Sequence, residues 1–327
     1  MTRGQWRSEF TSLVEGLFRE SGEDAPILLQ DIHEPAILDL RLHGTDFVLG
    51  HDPDPDGRAD QIFVEIPLGP LPREDVEGTM RNLLTPVRHL VHGTRLAAIG
   101  FDPDEDVATC GFHLPLQGMA PGALAEILIS ASQFATEWRE AGFLQRPQYS
   151  PCRPQIHDES FNAYRAKFIS LVEKACNRCG WDFPVPTTDG EALSFALDVH
   201  DIPIAMLHSK EDGSETFEIC CSYGPIPRQD TEAVLLRVLE LNRIRSAEGQ
   251  ITLHVDQEAA LVFASHFGTL DLEDDRTLSG TLRQMALSAM MWREKFHMNF
   301  KLPDLDFPHM PLDSRNRHFS TTSFEMK

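Results

Sequence analysis

Three groups of residues have types and spacings that could do chemistry. Cys176 and Cys179 in "CNRCGW" form a C-x-x-C, the spacing of half a zinc site or of a redox pair. Asp52, Asp54, Asp56, Gly57 and Asp60 in "DPDPDGRAD" follow the opening of a calcium loop. His89 and His92 in "RHLVH" are spaced to share a helix face and a metal ion. Each constellation lacks the partner that its chemistry needs. No second C-x-x-C or H-x-x-x-H lies near Cys176 to complete four ligands, so buried or half-buried thiols are expected. Position 12 of the acidic loop is Phe63, where calcium requires a bidentate glutamate, so Asp, Pro and Gly read as a hairpin turn. The two histidines have no third ligand or general base in view. No nucleophile elbow, phosphate loop, dinucleotide fingerprint or H-E-x-x-H is present. The chain is read as a non-enzyme without cofactor or metal.

The elements that would position any site come in two copies. "GPLPREDVE" (Gly69 to Glu77) returns as "GPIPRQDTE" (Gly224 to Glu232), 155 positions later. Upstream, "FTSLVEGLFRESG" from Phe10 matches "FISLVEKACNRCG" from Phe168, an offset of 158. Downstream, "EWREAG" at Glu137 matches "MWREKF" at Met291, an offset of 154. Three matches in one order, with an offset that drifts only by loop-sized steps, describe a duplicated domain.

Within each copy the periodicities alternate between helix and strand. Phe10, Leu13, Val14, Leu17 and Phe18 recur at helical spacing, as do Phe161, Tyr164, Phe168, Leu171 and Val172. Gly22 and Gly180 follow as stop signals. Three strand-like runs come next in each copy, joined by turns rich in Asp and Gly. The repeated motif then opens a middle helix, with Pro72 and Pro227 expected in its first turn. Pro86 should end the first of these helices near Leu84, whereas the second should run on to about Arg245. Two more strands and a closing helix complete the copy. The expectation is an α+β fold of two tandem α-β-β-β-α-β-β-α domains, each an antiparallel sheet packed with helices. The boundaries fall at residues 1–142 and 158–300, with a Pro-rich linker over 143–157 and an extended or mobile tail over 301–327.

Composition narrows the partners. The chain has 327 residues, with 51 Asp and Glu against 29 Lys and Arg, a net charge of −22. Such a surface repels nucleic acid and anionic membranes and attracts a basic or amphipathic polypeptide. No run approaches the ~20 apolar residues of a membrane span. The opening "MTRGQWRSEF" lacks the apolar core of a secretory signal, so a cytoplasmic setting with free thiols is expected.

The element order resembles that of the class I type III secretion chaperones, the Tir-chaperone (CesT-like) family. "LLRVLELN" (Leu235 to Asn242) looks like the family's middle helix, and "GQITLHVDQEAALVFASHF" like the strand pair that follows it. "LAEILISASQFATEWREAG" and "LRQMALSAMMWREKF" look like its closing helix with a late Trp. The resemblance covers most of residues 8–142 and 158–297. It implies a small acidic protein of the bacterial cytoplasm that holds a segment of a secreted effector in extended form on apolar patches. Family members are usually homodimers of one copy each, so two copies in one chain imply a monomer that acts as an internal pseudo-dimer. The middle helices, through Met80, Leu83, Leu84, Leu235, Val238 and Leu239, would form the pseudo-dimer interface. Partner binding is expected at the first helices and adjoining strands: Phe10, Leu13, Leu17, Phe18, Phe47 and Leu49, with Phe161, Tyr164, Phe168, Leu171, Met206 and Phe217. Two alternatives stand beside this: a regulatory or scaffold protein that contacts folded partners, and an enzyme whose cleft carries no known motif.

Overall fold

The computed structural model describes residues 2–295 apart from 29–30, 43, 53–59, 89, 91–95, 145–157, 189–190, 249–250 and 257–259. The first copy runs α1 (Arg3–Ser21), β1 (Ala36–Leu42), β2 (Thr45–His51), β3 (Gln61–Gly69), α2 (Val76–Leu83), β4 (Val87–Arg88), β5 (Leu96–Asp102), β6 (Val107–Pro115) and α3 (Pro121–Glu140). The second runs α4 (Asp158–Cys179), β7 (Thr187–Thr188), β8 (Ala192–Val199), β9 (Ile202–Ser209), β10 (Thr216–Pro225), α5 (Thr231–Glu248), β11 (Thr252–Asp256), β12 (Leu261–Thr269) and α6 (Asp275–Lys295). The α+β expectation holds, with one two-residue strand added to each copy: β4 in the first, β7 in the second. Residues 145–157 of the linker, the tail, and His89 and His92 lie outside the described residues, as does most of the acidic loop.

Both sheets are antiparallel. Their strand orders are β1-β2-β3-β6-β5-β4 and β11-β12-β10-β9-β8-β7. Read from β1 and from β8, these are the same topology. The strands alternate as a half-covered sheet must. In β3, Ile62, Val64, Ile66 and Leu68 are fully buried, and the residues between them are half-exposed. The buried face meets α1 through Phe10, Leu13, Val14 and Leu17, and α3 through Leu124, Leu128, Ala131 and Trp138. In the second copy the ring of Phe168 on α4 lies 5.5 Å from Phe195 and 5.4 Å from Phe217. Each such side chain removed from water contributes about 1.5–3 kcal/mol.

The repeated motif is a bulge followed by a helix cap. The ladder slips between Pro67 and Gly69 and again between Ser222 and Gly224. Gly69 has φ 117° and Gly224 φ 125°, values that a side chain would strain. An arginine of the closing helix brackets each bulge. Arg139 Nε donates to the Leu68 carbonyl at 2.8 Å, and Arg293 Nε to the Tyr223 carbonyl at 3.1 Å. The middle helices start later than expected, at Val76 and Thr231, so Pro72 and Pro227 precede them. The reason is the residue before each helix. Asp75 and Asp230 adopt left-handed φ, and the Asp75 carboxylate accepts from the Gly78 N–H as an N-cap. Helix α2 ends at Leu83 as Pro86 requires, and α5 continues to Glu248.

The chain divides into two units. The first comprises Met1–Cys152 together with Leu235–Gln250, and the second Arg153–Val234 with Ile251–Lys327. The boundary therefore departs from the contiguous one expected, because most of α5 belongs with the first unit. There Asn242 Nδ2 donates to the Ile99 carbonyl at 3.0 Å. Arg243 Nη2 lies 2.7 Å from Asp102 Oδ2 and 3.6 Å from Glu65 Oε1. A Cβ on Gly100 would fall 2.6 Å from Arg243 Cβ and 2.7 Å from its Cα, so only glycine lets helix and strand backbones approach this closely.

Candidate functional site

Each unit carries a buried or half-buried arginine beneath the segment that joins its first helix to its first full strand. In the first unit this is Arg7, which is 1% exposed. Its Nη1 donates to the Asp31 carbonyl at 2.9 Å and its Nη2 to the Glu34 carbonyl at 2.6 Å. Its Nε donates to His51 Nδ1 at 3.3 Å, and the His51 ring stacks on Phe10 at 5.3 Å. Burial holds the guanidinium below its ordinary range, against the opposing pull of Asp52 and Asp31. In the second unit Arg165 takes the same place, 158 positions on. It donates to Thr188 Oγ1 and to the Ala192 carbonyl, both at 3.0 Å. His208 beneath it stacks on Phe161 at 4.7 Å and meets the Ser214 carbonyl at 2.7 Å, and burial lowers its pKa.

The segments so anchored expose apolar side chains. Ile27 is 100% exposed, Ile32 36% and Ile37 64%. In the second unit Phe183 is 40% exposed and Val185 87%. Aliphatic and aromatic groups left in water at corresponding places in two copies form a surface suited to apolar contact. The first segment leads into β1, the last strand of its sheet. Among the described residues β1 pairs only with β2, so one row of its backbone groups faces outward. In the second unit the two residues of β7 pair with Ser194 and Leu193 and cover part of the equivalent edge.

The residues expected to bind a partner lie elsewhere. Phe10, Leu13, Leu17, Phe47, Leu49, Phe161, Phe168, Leu171, Met206 and Phe217 are all buried, and only Phe18 and Tyr164 are half-exposed. Tyr164 spends its hydroxyl on Asp271 Oδ2 at 2.7 Å. The apolar periodicity that singled these residues out is the periodicity of the core, where a partner has no access. The exposed set was missed because it has no period. Ile27, Phe183 and Val185 stand beside Pro26, Pro184 and Pro186, and Ile32 lies three positions before Pro35, all outside any helix or ladder that could bury them. Met80, Leu83, Leu84, Leu235, Val238 and Leu239 are likewise buried, the last three on the part of α5 counted with the first unit.

Cys176 is a core thiol pushed up to about 11, chiefly by burial. Glu218, Cys220 and Ser265 form a hydrogen-bonded set with Cys220 Sγ 3.0 Å from Glu218 Oε1 and 3.1 Å from Ser265 Oγ. All three are at most 2% exposed, so no substrate reaches them. Among the described residues no three His, Cys, Asp or Glu side chains are placed to hold a metal ion, and no helix is long and apolar enough to cross a membrane.

No family model and no curated protein matches the chain. Solved structures resemble it in part. One is the Yersinia pestis type III secretion chaperone SycH in complex with a stable fragment of YscM2. It is 14% identical with a TM-score of 0.32, covering 38% of this chain and 98% of that one. Another comes from the HopA1–SchA chaperone–effector complex, 14% identical with a TM-score of 0.32, covering 43% of this chain and 99% of that one.

Proposed function

We propose that this chain is a non-enzymatic, tandem secretion-chaperone-like protein that holds an extended segment of another polypeptide, such as a secreted effector. One observation carries the reading. Corresponding segments of the two units, each fastened from below by an arginine, expose apolar side chains beside the edge of a sheet. An extended peptide is the ligand that uses both features, because main-chain bonds to an edge supply affinity and side-chain contacts supply selectivity. The partner class follows the sequence resemblance, and both solved neighbours are chaperones described in complex with another protein or its fragment. Two copies in one chain replace a chance encounter of subunits with a tethered one.

The test is capture from the native bacterium with two baits, the full chain and its Ile37→Asp/Val185→Asp variant. A partner retained by the first and lost from the second, with a protease-protected extended segment, is the expected result. Equal retention by both baits would remove these surfaces from the reading. A second reading has its own observation: Leu287, Met290 and Met291 form an exposed apolar stripe on α6. A rigid helical stripe suits a folded partner, as a regulatory or scaffold protein would need. Loss of capture on Met291→Asp, with Ile37→Asp silent, would favour it.

A further inference from the structure

Equivalent faces of the two closing helices differ, and the chain that follows the second helix accounts for the difference. On α3 the outward positions of the last turns carry Ser130, Gln133, Thr136 and Glu137, all exposed, with Ile129 half-buried. At the offset of 154 they become Gln284, Leu287, Met290 and Met291, all exposed, with Arg283 in place of Ile129. Met291 leaves 69% of its surface in water. Charge is exchanged as well. Residues 122–141 hold three Glu and one Arg, whereas the matched residues 276–295 hold three Arg, one Lys and one Glu, in a chain of net charge −22. The Arg283 guanidinium lies over the Trp181 ring at 5.8 Å, one turn before Leu287. An apolar stripe beside basic residues attracts a segment that is apolar and acidic.

Such a segment follows in the same chain. Residues 296–327 lie outside the described residues and begin where α6 ends, at Lys295. Within them, "LPDLDFPHMPLD" (Leu302 to Asp313) sets Leu302, Leu305, Phe307, Met310 and Leu312 among three aspartates, with no Lys or Arg. Pro303, Pro308 and Pro311 oppose a helix and favour extended backbone. We propose that this segment turns back after α6 and lies along Leu287, Met290 and Met291 as an intramolecular strap. The dimensions agree. Leu287 and Met291 are about 6 Å apart along the helix axis. Side chains two apart on an extended chain, such as Leu305 and Phe307, are also separated by about 6 Å. Residues 296–301 supply up to about 20 Å of chain for the reversal. Running antiparallel to α6, Asp304 and Asp306 approach the Arg283 end of the stripe. On α3, Gln133, Thr136 and Glu137 give the first copy no such stripe to cover. A folded partner at this face must displace the strap first, so the tail sets how readily α6 receives it. This contact is separate from the peptide binding proposed above, and neither depends on the other.

The methionines of the stripe report on the strap themselves, because oxidation by hydrogen peroxide follows exposure. The unaltered full chain and the full-length L305D/F307D variant are oxidised in parallel, and the rate at each Met is read by peptide mass spectrometry. In the variant Met290 and Met291 should oxidise about fivefold or more faster than in the unaltered chain. Met119, half-exposed just before α3, and the buried Met206 should keep their rates, which reports an intact fold. F319D/F324D, farther along the tail, should leave Met290 and Met291 at the rates of the unaltered chain. A charge swap locates the contact. R283D should raise both rates at low salt, and D304K/D306K added to it should lower them again. Equal rates at Met290 and Met291 in the unaltered chain and L305D/F307D would overturn the strap. Protection that survives L305D/F307D and grows with protein concentration would give the stripe to a second copy and overturn it too. An equal gain from F319D/F324D would reduce the protection to general shielding by the tail and overturn the docked segment. If D304K/D306K restores nothing to R283D, the placement of the aspartates against Arg283 is overturned. None of these outcomes moves the capture experiment on Ile37 and Val185, which judges peptide binding by itself.

Discussion

Arg7 and Arg165 show how much one side chain decides here. Arg7 spends its guanidinium on the Asp31, Glu34 and His51 carbonyls and on the His51 ring, and Arg165 donates to the Ala192 carbonyl and the Thr188 hydroxyl. Hydrogen bonds to charged groups contribute about 1.5–3 kcal/mol each. Arg7→Met, which keeps the apolar stem, should therefore cost about 2–3 kcal/mol, read from the urea midpoint at unchanged slope. At Arg243 the two acidic partners should behave oppositely. Asp102 accepts Arg243 at 2.7 Å on one oxygen and the Asp104 and Glu105 N–H groups on the other, so Asp102→Asn should cost about 3 kcal/mol. Glu65 sits at 3.6 Å, and its carboxyl is pushed up, first by burial, with Arg243 pulling it back. A raised carboxyl pKa means that the folded state holds the proton more tightly than the unfolded one. Ionised Glu65 therefore opposes folding at pH 7, and the opposition fades as pH falls through the folded pKa. Glu65→Gln should leave stability at pH 7 unchanged or higher, and should flatten its acid dependence in denaturation series. Cys176, pushed up to about 11, should resist iodoacetamide at pH 8, where only about a thousandth of it is thiolate.

At the scale of elements, the helices and strands were legible because their apolar periods are local. The face Leu124, Ile127, Leu128, Ala131, Phe134 and Trp138 could be read along the chain, and all of it is buried. The helix starts were legible only in part. "PRED" and "PRQD" advertise a proline in a first turn, yet the left-handed aspartates delay each helix by several residues. That choice depends on the bulge before it, whose geometry in turn depends on Arg139 or Arg293 some seventy residues away. Gly224→Ala, forced to φ 125° with a side chain, should cost about 1–3 kcal/mol in chemical denaturation. Gly100→Ala sets a Cβ against the α5 backbone, so it should cost about 3 kcal/mol and raise hydrogen exchange along Leu235–Ile244. Unchanged exchange there would show that α5 tolerates the displacement.

For the whole molecule, duplication is the organising fact. The matched offsets of 158, 155 and 154 recur in structure as paired arginines, paired bulges and paired left-handed caps. If two copies in one chain stand in for two subunits, light scattering should return the mass of a single chain, 36.8 kDa, across a wide concentration range. A concentration-dependent doubling would sink that expectation. With a charge of −22, the chain should not retard duplex DNA at physiological salt in a gel-shift assay.

The sequence by itself determined the two repeats, their α+β element order and the absence of any complete catalytic or metal motif, because each of these is written in spacings of a few residues or in a long self-match. Tertiary structure alone decided which apolar residues face water. Period marks a residue as amphipathic without saying what covers it, so the buried Phe10 and Phe217 looked like binding residues. The aperiodic Ile27, Phe183 and Val185, which are exposed, carried no such signal. It also decided that Leu235–Gln250 belongs with the first unit, since the glycine, the Ile99 carbonyl and the two carboxylates that receive it lie more than 130 positions upstream. Contacts at that separation leave no period to read. They exist only once the chain has closed on itself.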